Sequence, residues 1–187
     1  MPPILTYIWQ HPISRFGLIS SLGLLGSISQ AISPAWSFEP AHLETLLRTK
    51  TCVNCDLQDA DLRYLDLSDA NLKGSNLKNA NFYRSRLDGA DLAQTQLDRA
   101  NFGEASLRGT TFNAADLSHV NLLRADLTGA SLYGATLNYT YIEETRFVRA
   151  LLSGADLRQV RIVSADFTDA ILCGAEMSYG EYRLGCE

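Results

Sequence analysis

The chain has 187 residues, a net charge of −5 at neutral pH, 46% hydrophobic and 20% charged residues, and four cysteines. Its length suits one domain with a sizeable core, and its ordinary apolar fraction excludes wholesale disorder and a multi-span membrane protein. The acidic balance argues against a nucleic-acid partner, which calls for a basic surface. Leu and Ala supply 29 and 20 residues, a bias that points to long helices or to a repeat.

Residues 1–37 differ from the rest of the chain. Arg15 precedes a charge-free apolar run, Phe16 to Ile32, of 17 residues, short of the ~20 that a membrane-spanning helix needs. Pro34-Ala35-Trp36-Ser37 comes next, with small residues at Ala35 and Ser37 as in a signal-peptidase site. The expected reading is a signal peptide over 1–37, cleaved after Ser37. An uncleaved membrane anchor formed by residues 16–32 and a buried apolar helix of the folded domain are the alternatives. Contact with a membrane is expected only through that segment, and only where it stays uncleaved.

A short amphipathic stretch comes after it. Pro40 suits the first turn of a helix, Glu39 sits well at its positive end, and Leu43, Leu46 and Leu47 share one face. The spacing predicts a helix from Pro40 to about Arg48. It is too short to stand alone in water and must pack on something. With the turn after it, this helix makes a cap over residues 38–54.

From Cys55 the sequence has a period of five. Large apolar residues recur at Leu57, Leu62, Leu67, Leu72, Leu77, Phe82 and on to Met177, giving 25 centres: 17 Leu, five Phe, two Ile and one Met. Two residues before each centre stands a small one, Ala at 15 of the 25, with Cys55 and Leu65 among the exceptions. The residue between is Asp or Asn at 13. A helix needs apolar spacing near 3.6 and a flat strand needs two. A period of five fits neither, so the chain must turn after every unit. Small and large residues two apart face the same side of extended backbone. Repeated turning with such inward pairs describes a solenoid, each coil stacked on the last.

Ala60-Asp61-Leu62, Ala70-Asn71-Leu72, Ala80-Asn81-Phe82, Ala90-Asp91-Leu92 and Ala125-Asp126-Leu127 closely resemble the A-[DN]-L-x-x pattern of the pentapeptide-repeat family. The segment from Thr49 to Leu57 resembles the lead-in of exported cyanobacterial members. The resemblance implies an all-β solenoid, a right-handed quadrilateral β-helix with four units per coil. Twenty-five units then give about six coils over residues 55–179, with the α-helical cap at the N-terminal end. Residues 180–187 remain as a C-terminal tail, in which Tyr182 stands where one more centre would fall. Open coil ends and flat sides both allow self-association.

An exported protein meets an oxidising compartment, and an even cysteine count suits disulfides. Cys52 with Cys55 and Cys173 with Cys186 are the expected pairs. A thiol-redox role for Cys52-x-x-Cys55 lacks its βαβ context, and a zinc site lacks a second C-x-x-C or paired histidines. The three histidines, His11, His42 and His119, make no cluster in sequence. No nucleophile elbow, P-loop or H-E-x-x-H occurs. The recurrent Asp and Asn are best read as turn-bonding side chains. No enzyme and no cofactor are expected.

A period of 20 sorts the outward residues onto four sides. The Leu57 side is acidic, with Asp56, Asp59, Asp98, Asp116, Asp156 and Glu176. The Leu62 side carries Tyr64, Tyr83, Arg84, Arg124 and Tyr141. The Leu67 side mixes Asp and Arg. The Leu72 side holds only Lys73 and Asp91 as charges, is rich in glycine and displays Tyr133, Leu151 and Ile171. The uncharged side or the Arg/Tyr side is the candidate interaction surface, and ordinary solvated turns remain the alternative. The expected function is a structural or protein-binding module of the periplasm or thylakoid lumen. The alternative is a cytoplasmic DNA mimic that inhibits a gyrase-type topoisomerase, a role some members of the resembled family have.

Overall fold

A computed structural model describes residues 39–177, the backbone of 180–182, and Cys186. The expected signal segment and its cleavage site lie outside the described residues. Helix α1 spans Pro40–Thr49. Pro40 opens it, where the missing N–H costs nothing. Lys50 closes it in a left-handed conformation, its N–H bonding back to Leu46 O at 2.8 Å. Leu46 is fully buried and Leu43 packs beside it against the first coil. His42 fastens the helix to the repeat, its Nδ1 accepting the Asp56 N–H at 3.0 Å.

Beyond the helix the chain winds as a right-handed quadrilateral β-helix of about six coils. The residue before each centre pairs in parallel with the residue twenty further on, from Thr51 with Asn71 to Leu151 with Ile171. Twenty residues are four units, hence four sides. Leu57 N–H reaches Asn76 O and Asn76 N–H returns to Cys55 O, each at 2.8 Å. The corners are β-turns such as Leu57–Ala60, closed by Ala60 N–H to Leu57 O at 3.1 Å. Every fifth residue from Asn54 to Gly174 has positive φ, Gln159 excepted. A left-handed third residue is the mark of a type II turn. At Gly74 that conformation coincides with crowding: an added Cβ would run into Asn54 Oδ1 of the preceding coil. At the exception, Tyr139 N–H bonds to Gln159 O at 3.2 Å, and the neighbouring Asn138 Oδ1 is buried without a hydrogen-bond partner.

The core is a set of vertical columns. Leu fills most centres, and Phe stacks on Phe where two fall twenty apart: Phe82 on Phe102 at 4.6 Å between ring centroids, Phe147 on Phe167 at 4.9 Å. The small positions lie flush beneath, and where they carry a hydroxyl it is satisfied. Thr110, Thr140 and Thr145 donate to Leu87 O, Leu117 O and Leu122 O of the preceding coil at 2.6–2.7 Å. Leu65, too large for its column, is only partly buried. The register starts one unit before the sequence pattern announces it. Cys52 occupies a centre position and is buried, five residues ahead of Leu57. A cysteine is small but apolar enough to stand in for leucine there.

Longer strands gather at the C-terminal end. Strands β1 (Tyr141–Glu143) and β3 (Arg161–Val163) pair in parallel, as do β2 (Asp156–Leu157) and β4 (Ala175–Met177). Strand β5 (Gly180–Tyr182) then reverses and pairs antiparallel with β4, Tyr182 falling opposite Ala175. The tail therefore does not carry the winding forward with Tyr182 as a further centre; Tyr182 lies on a returning strand.

Candidate functional site

The four sides differ in how far their side chains are already engaged. On the Leu62 side, Asn81, Asn101 and Asn121 form a ladder, the Nδ2 of Asn101 and of Asn121 each donating to the Oδ1 below at 3.0–3.1 Å. Each Oδ1 also accepts the N–H two residues on. Above the ladder, Arg84 donates to Glu104 at 2.7 Å, Tyr83 donates to the same carboxylate at 2.8 Å, and Arg124 donates to Glu144 at 2.7 Å. The Arg84 and Tyr83 bonds hold the Glu104 carboxyl below the usual carboxylate range, and the Glu104 bond raises the Tyr83 hydroxyl. Tyr64 meets Tyr83 edge-on at 5.9 Å, Arg84 lies over the Tyr83 ring, and the Tyr141 hydroxyl contacts Glu143. Arg84 and Arg124, candidate contact residues from sequence, are thus committed within their own side. Their positions alternate with glutamate at a spacing of twenty residues, a regularity already present in the sequence.

The Leu57 side is similarly self-compensated. Asp98 Oδ1 lies 2.8 Å from His119 Nδ1, and the His119 ring stacks on Tyr139 at 5.0 Å. Arg158 grips Asp156 with two hydrogen bonds of 3.0 and 2.8 Å and also reaches Glu176 at 3.2 Å. That guanidinium holds the Asp156 carboxyl at about 2. On the Leu67 side Asp66 is lowered to about 2 by the Ser68 backbone N–H and hydroxyl, with Lys50 and Arg86 adding to it. Asp126 lies between Arg108 at 2.7 Å and Arg146 at 3.6 Å.

The Leu72 side is unlike the others. Leu151 and Ile171 are paired neighbours in one column, 42% and 37% exposed, and Tyr133 beside them is 64% exposed. Gly134, Gly154 and Gly174 form the adjoining column, so nothing rises between these side chains and solvent. Toward the N-terminal end the same column is polar, with Asn71, Asp91, Thr111 and Ser131. The result is a flat apolar strip across successive coils, about 4.8 Å apart. Flat apolar surface with few charges is the composition of an interface core.

The cysteines lie in two pairs, one at each end of the coil stack. Cys52 and Cys55 are brought together with Cα atoms 5.5 Å apart, both buried beneath α1. Cys173 and Cys186 are brought together with Cα atoms 5.0 Å apart, on the Leu72 side just past Ile171. These separations lie in the range a disulfide spans. Among the described residues, no group of three or more His, Cys, Asp or Glu converges where a metal ion could be held.

Two family models match the chain: a pentapeptide repeat region over residues 55–132 and pentapeptide repeats over 150–179. Together they cover more than half of it. Among solved structures, a pentapeptide repeat protein of the Arabidopsis thaliana thylakoid lumen is 30% identical, covering 58% of this chain and 70% of that one, with a TM-score of 0.42. Rfr23 of the cyanobacterium Cyanothece 51142 is 23% identical over 74% of this chain and 94% of that one, with a TM-score of 0.38. A Nostoc pentapeptide repeat protein is 29% identical over 55% and 78%, with a TM-score of 0.35. No curated protein matches.

Proposed function

The chain belongs to the pentapeptide-repeat family, and we propose that it acts there as a non-enzymatic protein-binding module in the periplasm or thylakoid lumen. The observation that carries this reading is the pairing of all four cysteines, one pair at each end of the coil stack. Disulfides persist in oxidising compartments and are rare in the cytosol. Cys52–Cys55 ties the turn beneath α1, and Cys173–Cys186 ties the last described residue to the final coil. The apolar run from Phe16 to Ile32 with Ala35 and Ser37 behind it supplies a route to export.

The contact surface in this reading is the Leu72 side. Tyr133, Leu151 and Ile171 offer apolar area at little ordering cost, since the coil backbone holds them in place. On the Arg/Tyr side Arg84 and Arg124 are engaged with Glu104 and Glu144, and Tyr64 is its most exposed large apolar residue. The topoisomerase reading needs an extended acidic surface that imitates nucleic acid. Here the acidic residues of the Leu57 side are interleaved with Lys78, Arg99, His119 and Arg158, which favours the protein-binding module.

Cell fractionation with mass determination of the N-terminus tests the compartment. A mature chain beginning at Phe38 in an exported fraction is expected; a full-length cytoplasmic protein overturns the reading. The surface is tested by affinity capture with the wild type and with Leu151→Lys/Ile171→Lys. Loss of the captured protein in the variant is expected. Capture unaffected by it removes the Leu72 side as the contact.

A further inference from the structure

The Leu72 side has two unlike edges. Its corners are the turns closed by Ala70 N–H to Leu67 O at 3.0 Å and by Ser75 N–H to Leu72 O at 3.1 Å. Near the N-terminal end the flat stretch between those corners runs from Asp69 to Lys73, with Asn71 at its midpoint. The midpoint column climbs through Asp91 to the exposed Leu151 and Ile171. One edge column starts at Asp69 and the other at Lys73; both residues are exposed and enter no ion pair among the described residues. Higher on the same two edges stand Gly129 and Tyr133. An added Cβ at Gly129 would meet nothing within 4 Å, so that edge has an open notch at the level where the other raises a ring 64% exposed.

We infer that two copies of the chain pair side by side through this face, about a two-fold axis parallel to the winding. The inference rests on the reading of the Leu72 side as the contact surface and names a second copy as what that surface takes. An axis through the midpoint column keeps each coil level with its equivalent and exchanges the two edges. Asp69 of each copy then meets Lys73 of the other, once on each side of the axis. Each Tyr133 ring enters the notch at the other copy's Gly129. Leu151 and Ile171 meet their own equivalents on the axis and leave water.

Charge and shape select this axis over its alternative. A two-fold across the winding sets each edge against itself and lays the apolar upper coils on the polar lower ones. The parallel axis instead pairs opposite charges and fits ring to notch, and such complementarity fixes register. Its one like-charge contact is Asp91 against Asp91, a carboxylate that accepts the Ala93 N–H at 2.9 Å within its own chain. About six coils at ~4.8 Å and four residue steps at ~3.3 Å make the face roughly 29 by 13 Å, at the small end of specific interfaces. The dimer therefore forms and dissociates with concentration.

Sedimentation velocity of the protein purified from its own cells, over a concentration series and with native mass spectrometry, tests the pairing. The wild type is expected to approach twice the chain mass. Asp69→Arg and Lys73→Glu are each expected to weaken the dimer at least tenfold, with circular dichroism unchanged, because each sets like charges together twice. Arginine already holds the corner conformation of Asp69 at Arg149. The double variant D69R/K73E restores the dimer, Asp91→Asn tightens it, and Arg124→Ala on the Leu62 side leaves it intact. A wild type that stays monomeric throughout overturns the inference, and the capture experiment above then decides separately whether another protein takes this side. A dimer indifferent to D69R and K73E, or a double variant no stronger than the singles, overturns it too.

Discussion

Ser75 and Cys55 occupy the same inward column one coil apart, and the Ser75 hydroxyl accepts the Cys55 N–H at 3.0 Å. The same hydroxyl donates to Cys52 O at 2.7 Å. In a neighbouring unit the corresponding N–H bonds straight to the carbonyl three residues back, as Ala60 does to Leu57. At the Cys52–Cys55 corner the serine oxygen is inserted between the two ends of the turn. One buried side chain thus satisfies both backbone groups of the corner that brings the two cysteines together.

Ser75→Ala leaves a buried N–H and a buried carbonyl without partners, so a loss of ~1–3 kcal/mol is expected. Chemical denaturation of the two proteins measures it. Equal midpoints and slopes would show that the corner closes by itself.

The phenylalanine column makes a graded prediction. Phe102 is fully buried, stacked on Phe82 and edge-on to Phe112 at 6.0 Å. Phe102→Ala should cost about 3–5 kcal/mol, as large aromatic truncations in closed cores do. Phe167 stacks on Phe147 but is only partly buried, so Phe167→Ala should cost clearly less. Equal losses at the two positions would contradict the difference in burial between them.

Much of this fold is legible in the residues themselves. The period of five with paired small and large positions dictates turning, and the Leu, Phe and Ala columns result from it. The left-handed turn residue is harder to see. Glycine marks it at seven corners such as Gly74 and Gly89, but Tyr64, Arg84 and Glu104 adopt the same conformation elsewhere, because coil stacking overrides local preference. Cys52 does not stand out as a centre because its column neighbours are Leu and Phe. The returning strand is hidden because an antiparallel reversal after Met177 has no counterpart in the repeat. Which charges are free is hidden too: Arg84 and Glu104 are twenty residues apart, and only the stacked coils bring them to 2.7 Å.

Acid should loosen the Leu57 side. The Asp156 carboxyl, held at about 2 by Arg158, lies below its unfolded value of 3.8, so its contribution is complete above about pH 4. It is lost as pH falls toward 2, and after solvent screening amounts to on the order of 1 kcal/mol. Thermal melts of the wild type and Asp156→Asn across that interval check this. The difference between them should shrink as the pH drops; a constant difference would assign the effect to packing.

The exposed inter-coil pairs should matter little. Arg84 and Arg124 are half exposed, and ion pairs open to solvent contribute little to stability. Arg124→Ala should therefore leave the melting temperature nearly unchanged, with any small effect vanishing in high salt. A large, salt-independent loss would mean that the Leu62 side depends on that pair for its geometry.

The proposed placement outside the cytosol rests on the cysteines, and peptide mapping of the protein from its own cells, digested without reduction, tests it most directly. One peptide closed internally through Cys52 and Cys55, two hydrogens lighter than its reduced form, and one pair of fragments joined through Cys173 and Cys186 are predicted, with no free thiol. Four alkylatable thiols, or a link between the two ends of the stack, would contradict that placement.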